Sequence, residues 1–313
     1  MRLPRAIAIL AVLPTVLCTT SSKRGLCFVP SQQHPSDDNI WDSSTSDLTW
    51  YYNYGATPST AFNNATHLQF VPMLWGAPAN STDTSFSGAI TAQLAAGANI
   101  SSLLSFNEPD SSADGGSGVP ALLAAQTWIR ELEPLRTKHN LSLGAPAVTG
   151  SPQGFTWLQE FFTACNGNCT ADFIPVHWYG DFGGLASHIG QVRAAYGNMS
   201  IWVTEFAEPG VNLAESETFY NQSSSYFDRI DYITHYSYFG AFRSSASNVG
   251  PNAAMLTKKG KLTDIGSWYL GGASTGNKPS SAPQRTVSSS MFGGVGLWGM
   301  GLMWVLVVGV GVW

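Results

Sequence analysis

Short apolar runs alternate with polar and amphipathic stretches through most of this chain. Eight runs read as strands, at residues 25–30, 49–54, 68–74, 102–106, 143–148, 173–177, 201–204 and 232–236. Most are apolar at nearly every position, as strands covered on both faces are. Helix-period patterns lie between them at 88–98, 120–139, 156–164, 185–196 and 216–229. The long second one carries Leu122, Leu123, Trp128, Leu132 and Leu135. Strand–helix repetition without hairpin signals predicts an α/β protein with a parallel sheet. Eight such units in one domain predict a closed (β/α)8 TIM barrel. The alternative is an open doubly wound sheet, but no G-x-G-x-x-G follows the first strand.

The strand ends share a habit. They finish in Tyr52-Asn53-Tyr54, Trp75, Asn107-Glu108, His177-Trp178-Tyr179, Glu205-Phe206 and Tyr236-Ser237-Tyr238. Any one of these aromatics alone reads as core packing. Together, at the strand ends where barrels carry their active sites, they read as a site. Glu108 ends the fourth strand and Glu205 the seventh, which face each other across a closed barrel. Two opposed carboxylates suit glycosidic cleavage, one protonating the leaving oxygen while the other attacks or activates water. Each acid also has a structural reading: Glu108 as a helix N-terminal charge before Pro109, Glu205 as a buried paired acid. Asn107 is placed to bind a sugar hydroxyl. His177 and Tyr179 alternate onto one side of their strand, within reach of the pair. Tyr54, Trp75, Trp178 and Tyr236 offer flat faces for sugar rings. Glu208 and Asp110 lie just beyond the pair, as modulating or simple loop charges.

The two ends of the chain change the picture of its working length. Residues 1–20 carry Arg2 and Arg5 and then an apolar run, the form of a signal peptide. Residues 291–313 are uncharged and apolar, preceded by small residues and a polar spacer, the form of a glycolipid (GPI) anchor signal. Residues 273–290, rich in Ser, Thr, Pro and Gly, read as a disordered stalk. About 250 residues remain for the globular part, 23–272. Only 11% of residues are charged and the net charge is −5, which argues against a nucleic-acid partner. Seven N-x-S/T sequons, at Asn64, Asn80, Asn99, Asn140, Asn168, Asn198 and Asn221, agree with secretion to a cell surface or wall. Cys165 and Cys169 flank a short loop and are expected to form a local disulfide. Cys27 reads as a buried free thiol. No metal site is expected, because His177 has no second ligand at useful spacing, and no cofactor is implied. A monomer is expected, with membrane contact only through the anchor.

The motifs SFNEPD at 105–110, DFIPVHWYG at 172–180 and IWVTEFAEP at 201–209 resemble glycoside hydrolase family 128, the fungal alkali-sensitive-linkage-like catalytic domains. The opening KRGLCFVP, the second-strand WYYNYG, APAVTGSPQGFTWLQEF at 145–161 and the closing LTDIGSWYLGG extend the resemblance over the whole globular part. It implies an endo-β-1,3-glucanase on a (β/α)8 barrel, with β-1,3-glucan as partner and a retaining mechanism. By motif match it implies Glu108 as acid/base and Glu205 as nucleophile, with Asn107, His177 and Tyr179 lining the catalytic subsite. Tyr54 and Tyr238 stand where the family carries Trp. Both are expected to stack on sugar, with an altered subsite and chain-length preference. Cys27 replaces a small residue, with no evident functional meaning.

Overall fold

The computed structural model describes residues 21–279 except 64 and 114. The expected leader at 1–20, the expected anchor signal at 291–313 and residues 280–290 of the expected stalk lie outside the described residues. Among the described residues, eight strands run in chain order: β1 (Gly25–Cys27), β2 (Trp50–Tyr52), β3 (Gln69–Phe70), β4 (Ser102–Leu103), β5 (Ser142–Leu143), β6 (Phe173–Tyr179), β7 (Ser200–Ala207) and β8 (Ile233–Tyr238). Seven α-helices connect or flank them: α1 (Ser85–Ala95), α2 (Ala121–Glu131), α3 (Glu133–His139), α4 (Pro152–Cys165), α5 (Phe182–Ala195), α6 (Leu213–Arg229) and α7 (Asp264–Tyr269). The result is an α/β single-domain fold.

All strand pairs are parallel and form three small sheets, β1-β2-β3, β4-β5 and β6-β7-β8. Single parallel bridges stand between the sheets: Met73 to Leu104, Gly144 to Phe173, and Arg24 to Tyr236. Several strands are shorter than the apolar runs that contain them. Pro72 and Pro146 interrupt the third and fifth runs, and a proline has no N–H to give a ladder. The long helical pattern at 120–139 is likewise two helices. Pro134, at the second position of α3, removes an interior helical N–H. Caps fix other helix starts: Ser151 accepts the Gly154 N–H, Asp181 that of Gly184, and Asn212 with Glu215 forms a capping box on α6.

Two cores follow from strand alternation. Side chains on the outer strand faces pack against the helices, among them Leu26, Tyr51, Ile174, Val203 and Tyr236. Those on the inner faces form a second cluster of Cys27, Trp50, Tyr52, Val71, Met73, Leu104, Phe173 and Trp202. The Trp202 ring lies stacked between Phe173 at 4.1 Å and His235 at 3.6 Å. Burial pushes His235 down to about 4, so it packs as a neutral ring.

Part of the segment expected to be a disordered stalk is ordered. Thr275 and Gly276 donate backbone N–H groups to Asp264 at 2.6 and 2.7 Å, and Asn277 Nδ2 reaches the Leu262 carbonyl at 2.9 Å. Residues 273–277 are therefore docked on α7 rather than disordered. Cys165 and Cys169 form a disulfide and Cys27 is a buried free thiol. The six described sequon asparagines are all exposed.

Candidate active site

A phase change in β7 aims Glu205. Trp202 points inward while Ile201 and Val203 point outward, so strict alternation would send Glu205 outward with Val203. The register slips instead. Val176 pairs with Val203, but His177 pairs with Glu205; likewise Val203 pairs with Tyr236, but Phe206 with Tyr238. One extra residue on β7 is a bulge, and it re-aims the next side chain. The Thr204 carbonyl at this bulge accepts the hydroxyls of Tyr52, at 3.1 Å, and Ser237. Glu205 is consequently turned inward and is 5% exposed. Across from it, Glu108 sits at φ +40°, the left-handed region that costs a non-glycine residue of order 1 kcal/mol. Its N–H donates to the Ala147 carbonyl at 2.7 Å and its carbonyl accepts from Ser111 at 3.0 Å. Gly116 lies so close that a Cβ would fall 2.9 Å from the Glu108 carbonyl oxygen.

The two carboxylates meet at His177. Its Nδ1 lies 2.9 Å from Glu108 Oε1 and 3.5 Å from Glu205 Oε2. The three side chains offer atoms that all lie within 4.8 Å of one another. Tyr179 donates its phenolic proton to Glu205 Oε2 at 2.5 Å, and Tyr54 donates to Oε1 at 2.8 Å. Tyr52 stands behind, 3.4 Å from both Tyr54 Oη and Glu205 Oε1. Burial, reinforced by the Glu205 charge, holds all three phenols well above their ordinary range, so they remain donors. Burial alone would pull His177 down. The Glu205 charge and the bond to Glu108 outweigh it and raise His177 above its usual value. The charged form of the imidazole is thereby favoured.

These three residues form a possible cation set that sequence spacing did not reveal. Their atoms, however, are engaged with one another: His177 Nδ1 with Glu108, and both Glu205 oxygens with phenols. The arrangement suits proton transfer and nucleophilic attack better than holding an ion.

The other expected site residues divide. Asn107 is buried beside Glu108, with Nδ2 on the Gly115 carbonyl at 3.0 Å and Oδ1 unpartnered among the described residues. Trp75 is 40% exposed and follows β3. Tyr54 donates its hydroxyl to Glu205, and its ring is half-buried. Three expectations are corrected by strand phase. Trp178 faces away from Glu205, its ring on His188 at 5.3 Å and its Nε1 on the Asp181 carbonyl. Tyr236 is fully buried on the outer face, with its hydroxyl accepting from Arg24 Nε and donating to Asp228. Tyr238 is also fully buried outside, so it cannot stack on sugar. Asp110 ties the Thr149 N–H and hydroxyl, a loop role. Glu208 lines a separate recess with Asp181 and Glu215. Pro109 opens a turn rather than a helix, which removes the helix-dipole reading of Glu108. Tyr52 was missed; its signal was the Trp50-x-Tyr52-x-Tyr54 alternation, which puts all three on one face. Cys27 lies near enough to Glu205 for that charge to reinforce the burial that pushes its thiol up.

The chain is similar to known proteins over most of its length. Residues 25–269 match the family model described as the glycosyl hydrolase catalytic core. Alkali-sensitive linkage protein 1 of Schizosaccharomyces pombe is 32% identical over 263 residues, covering 80% of this chain and 45% of its own length. The chain thus spans about half of that relative. An endo-β-1,3-glucanase of GH128 subgroup II from Sorangium cellulosum superposes with a TM-score of 0.65 at 26% identity, over 81% of this chain and 99% of that one. A GH128 subgroup VII oligosaccharide-binding protein from Cryptococcus neoformans gives 0.62 at 25% identity, over 80% and 94%. A subgroup VI exo-β-1,3-glucanase from Aureobasidium namibiae gives 0.69 at 21% identity, over 80% and 97%, and speaks to the fold alone. With a family match across its whole globular part and solved neighbours throughout that family, the chain belongs to glycoside hydrolase family 128.

Proposed function

We propose that this chain is a retaining endo-β-1,3-glucanase in which Glu205 is the nucleophile and Glu108 the acid/base. The observation that carries the reading is the closeness of the two carboxylates, with oxygens within 4.8 Å and His177 between them. Retaining enzymes hold their carboxyl groups about 5–5.5 Å apart, whereas inverting ones leave about 6.5–9.5 Å for a water. Glu205, braced by two phenols, attacks the anomeric carbon. Glu108 gives its proton to the departing glycosidic oxygen, then takes one from the water that releases the sugar. His177, 2.9 Å from Glu108, offsets the negative charge that Glu108 takes on as its proton leaves. A closed (β/α)8 barrel is the frame of this reading. Its support is the parallel pairing or bridging between every successive pair of strands and between β8 and β1.

The β-1,3 linkage is supported by relatives of that activity, and the presence of both carboxylates favours turnover over binding alone. Secretion and a GPI anchor rest on the sequence of the chain ends, the exposed sequons and the disulfide. The enzyme is read as a monomer at the cell surface or wall, hydrolysing or remodelling glucan. Reducing-sugar release from laminarin, abolished by Glu205→Gln, tests the activity. Full activity in that variant sinks the assignment. Binding of laminarin without turnover by the wild type favours a binding protein, and activity only on β-1,4-glucan or mannan favours another linkage. Products longer than the substrate identify a transglycosylase.

A further inference from the structure

Ser237 stands opposite the bulge in β7, and the double displacement makes no direct use of it. Between the pairs Val203–Tyr236 and Phe206–Tyr238, β7 carries two residues, Thr204 and Glu205, and β8 carries one, Ser237. Two residues facing one is the form of a bulge, with Ser237 as its partner. Ser237 is fully buried, so it touches neither sugar nor solvent. Its hydroxyl donates to the Thr204 carbonyl. On the β6 side Thr204 is the extra residue, since Val176 pairs with Val203 and His177 with Glu205. A bulge disrupts the ladder locally, and a buried carbonyl there needs a donor from elsewhere.

Tyr52 from β2 is a second donor to that carbonyl, but it has other claims on it. Its one proton has three oxygens within reach: the Thr204 carbonyl at 3.1 Å, and Tyr54 Oη and Glu205 Oε1 at 3.4 Å each. Cys27, beside Ser237, gives its thiol proton to the Tyr238 carbonyl at 3.3 Å and so does not compete. While Ser237 holds the Thr204 carbonyl, the Tyr52 proton is available to Tyr54 and Glu205. Without Ser237, Tyr52 is the remaining side-chain donor to the carbonyl among the described residues. Leaving a buried carbonyl unbonded is costly, so the Tyr52 proton is drawn away from the nucleophile. The peptide that sets the direction of Glu205 is then held at one point instead of two.

We propose that Ser237 is a positioning residue for the nucleophile: it fixes the bulge backbone and leaves Tyr52 free to serve the carboxylate. The proposal rests on the reading of Glu205 as nucleophile. Its test is steady-state kinetics on laminarin for the wild type, Ser237→Ala, Ser237→Cys and Ser237→Thr, with thermal unfolding of each. A misaimed nucleophile is felt in the transition state and not in glucan binding. Ser237→Ala is therefore expected to lower kcat by about tenfold, the worth of one hydrogen bond, with KM unchanged. Ser237→Thr keeps the hydroxyl and is expected to recover most of kcat. Ser237→Cys keeps only a weak donor and is expected to lie between. A hydroxyl with a purely structural role would lower the thermal midpoint and leave kcat alone. Wild-type kcat in Ser237→Ala, a change confined to KM, or no recovery in either Ser237→Thr or Ser237→Cys overturns the role. Should Ser237→Ala fail to fold, Ser237→Cys carries the test, and a wild-type kcat there overturns it. Sugar release by the wild type with any of these results overturns the positioning role alone; no release by the wild type overturns the glucanase reading and this role with it.

Discussion

His177 is where the account is most exposed to a quantitative test. Its Nδ1 lies 2.9 Å from Glu108 and 3.5 Å from Glu205, and these charges raise it against the pull of burial. Gln at this position keeps a donor but removes the charge. The two carboxylates, with oxygens within 4.8 Å, then face each other without a cation. At an effective dielectric near 20, two unit charges at that distance repel by about 3.5 kcal/mol. If that repulsion is carried into the reacting state, where Glu108 has given up its proton, it lowers kcat/KM by roughly two to three powers of ten at pH values where the wild-type imidazole is charged. The loss should shrink toward alkaline pH, where the wild-type imidazole itself gives up its proton and no longer offsets the carboxylates. Full pH profiles of kcat/KM on laminarin for the wild type and His177→Gln measure both effects. Wild-type rates in His177→Gln, or a loss equal at every pH, would refute the reasoning. The same shift makes a stability statement. The folded His177 titrates above its unfolded value, so its contribution is whole below about pH 6.5 and is lost as pH rises through the folded value.

Other expectations follow from the same contacts. Tyr54→Phe and Tyr179→Phe each remove one hydrogen bond to a charged group, worth about 1.5–3 kcal/mol, and should lower kcat/KM by about tenfold or more in steady-state assays. Tyr238→Phe deletes a buried hydroxyl without a partner among the described residues. It should leave laminarin turnover intact and the thermal midpoint unchanged or raised; lost activity would restore Tyr238 to the site. Asp47→Ala removes the 2.9 Å partner of the buried Arg24 guanidinium, which keeps Asp228 at 3.9 Å and the Trp268 and Tyr269 carbonyls, and should cost about 1.5–3 kcal/mol by denaturant unfolding. His188 is pushed down to about 4 by burial while its unfolded value is near 6.5. Stability should therefore fall by up to roughly 3 kcal/mol as pH drops through that window, and His188→Leu should flatten the fall.

The sequence made the order of elements legible because apolar runs and helix periods are local. All eight strands and the long helices lie where those patterns put them. The phase of a strand is less local. The bulge that turns Glu205 inward depends on how β7 pairs with β6 and β8, and no residue in 201–207 announces it. Conversely, the aromatic endings of β8 looked like a site, but Tyr236 and Tyr238 fall on the helix-facing side. There Arg24, itself bonded to Asp47, claims the Tyr236 hydroxyl. Pro72, Pro134 and Pro146 were visible in the sequence and should have shortened two strands and split one helix. Tyr54 was read for its ring, and the structure adds its hydroxyl, which reaches Glu205 from a residue at φ +60°. The docking of 273–277 depends on Asp264, whose carboxylate offers acceptors that composition alone does not show.

The central claim is a double displacement between Glu205 and Glu108, and the anomer first released reports on it most directly. Proton NMR of the first minutes of laminarin hydrolysis distinguishes the two outcomes before mutarotation. The account predicts the β-anomer as the initial product, with Glu205→Gln releasing none. An initial α-anomer would contradict it, since a single inverting displacement would then be at work across these two carboxylates.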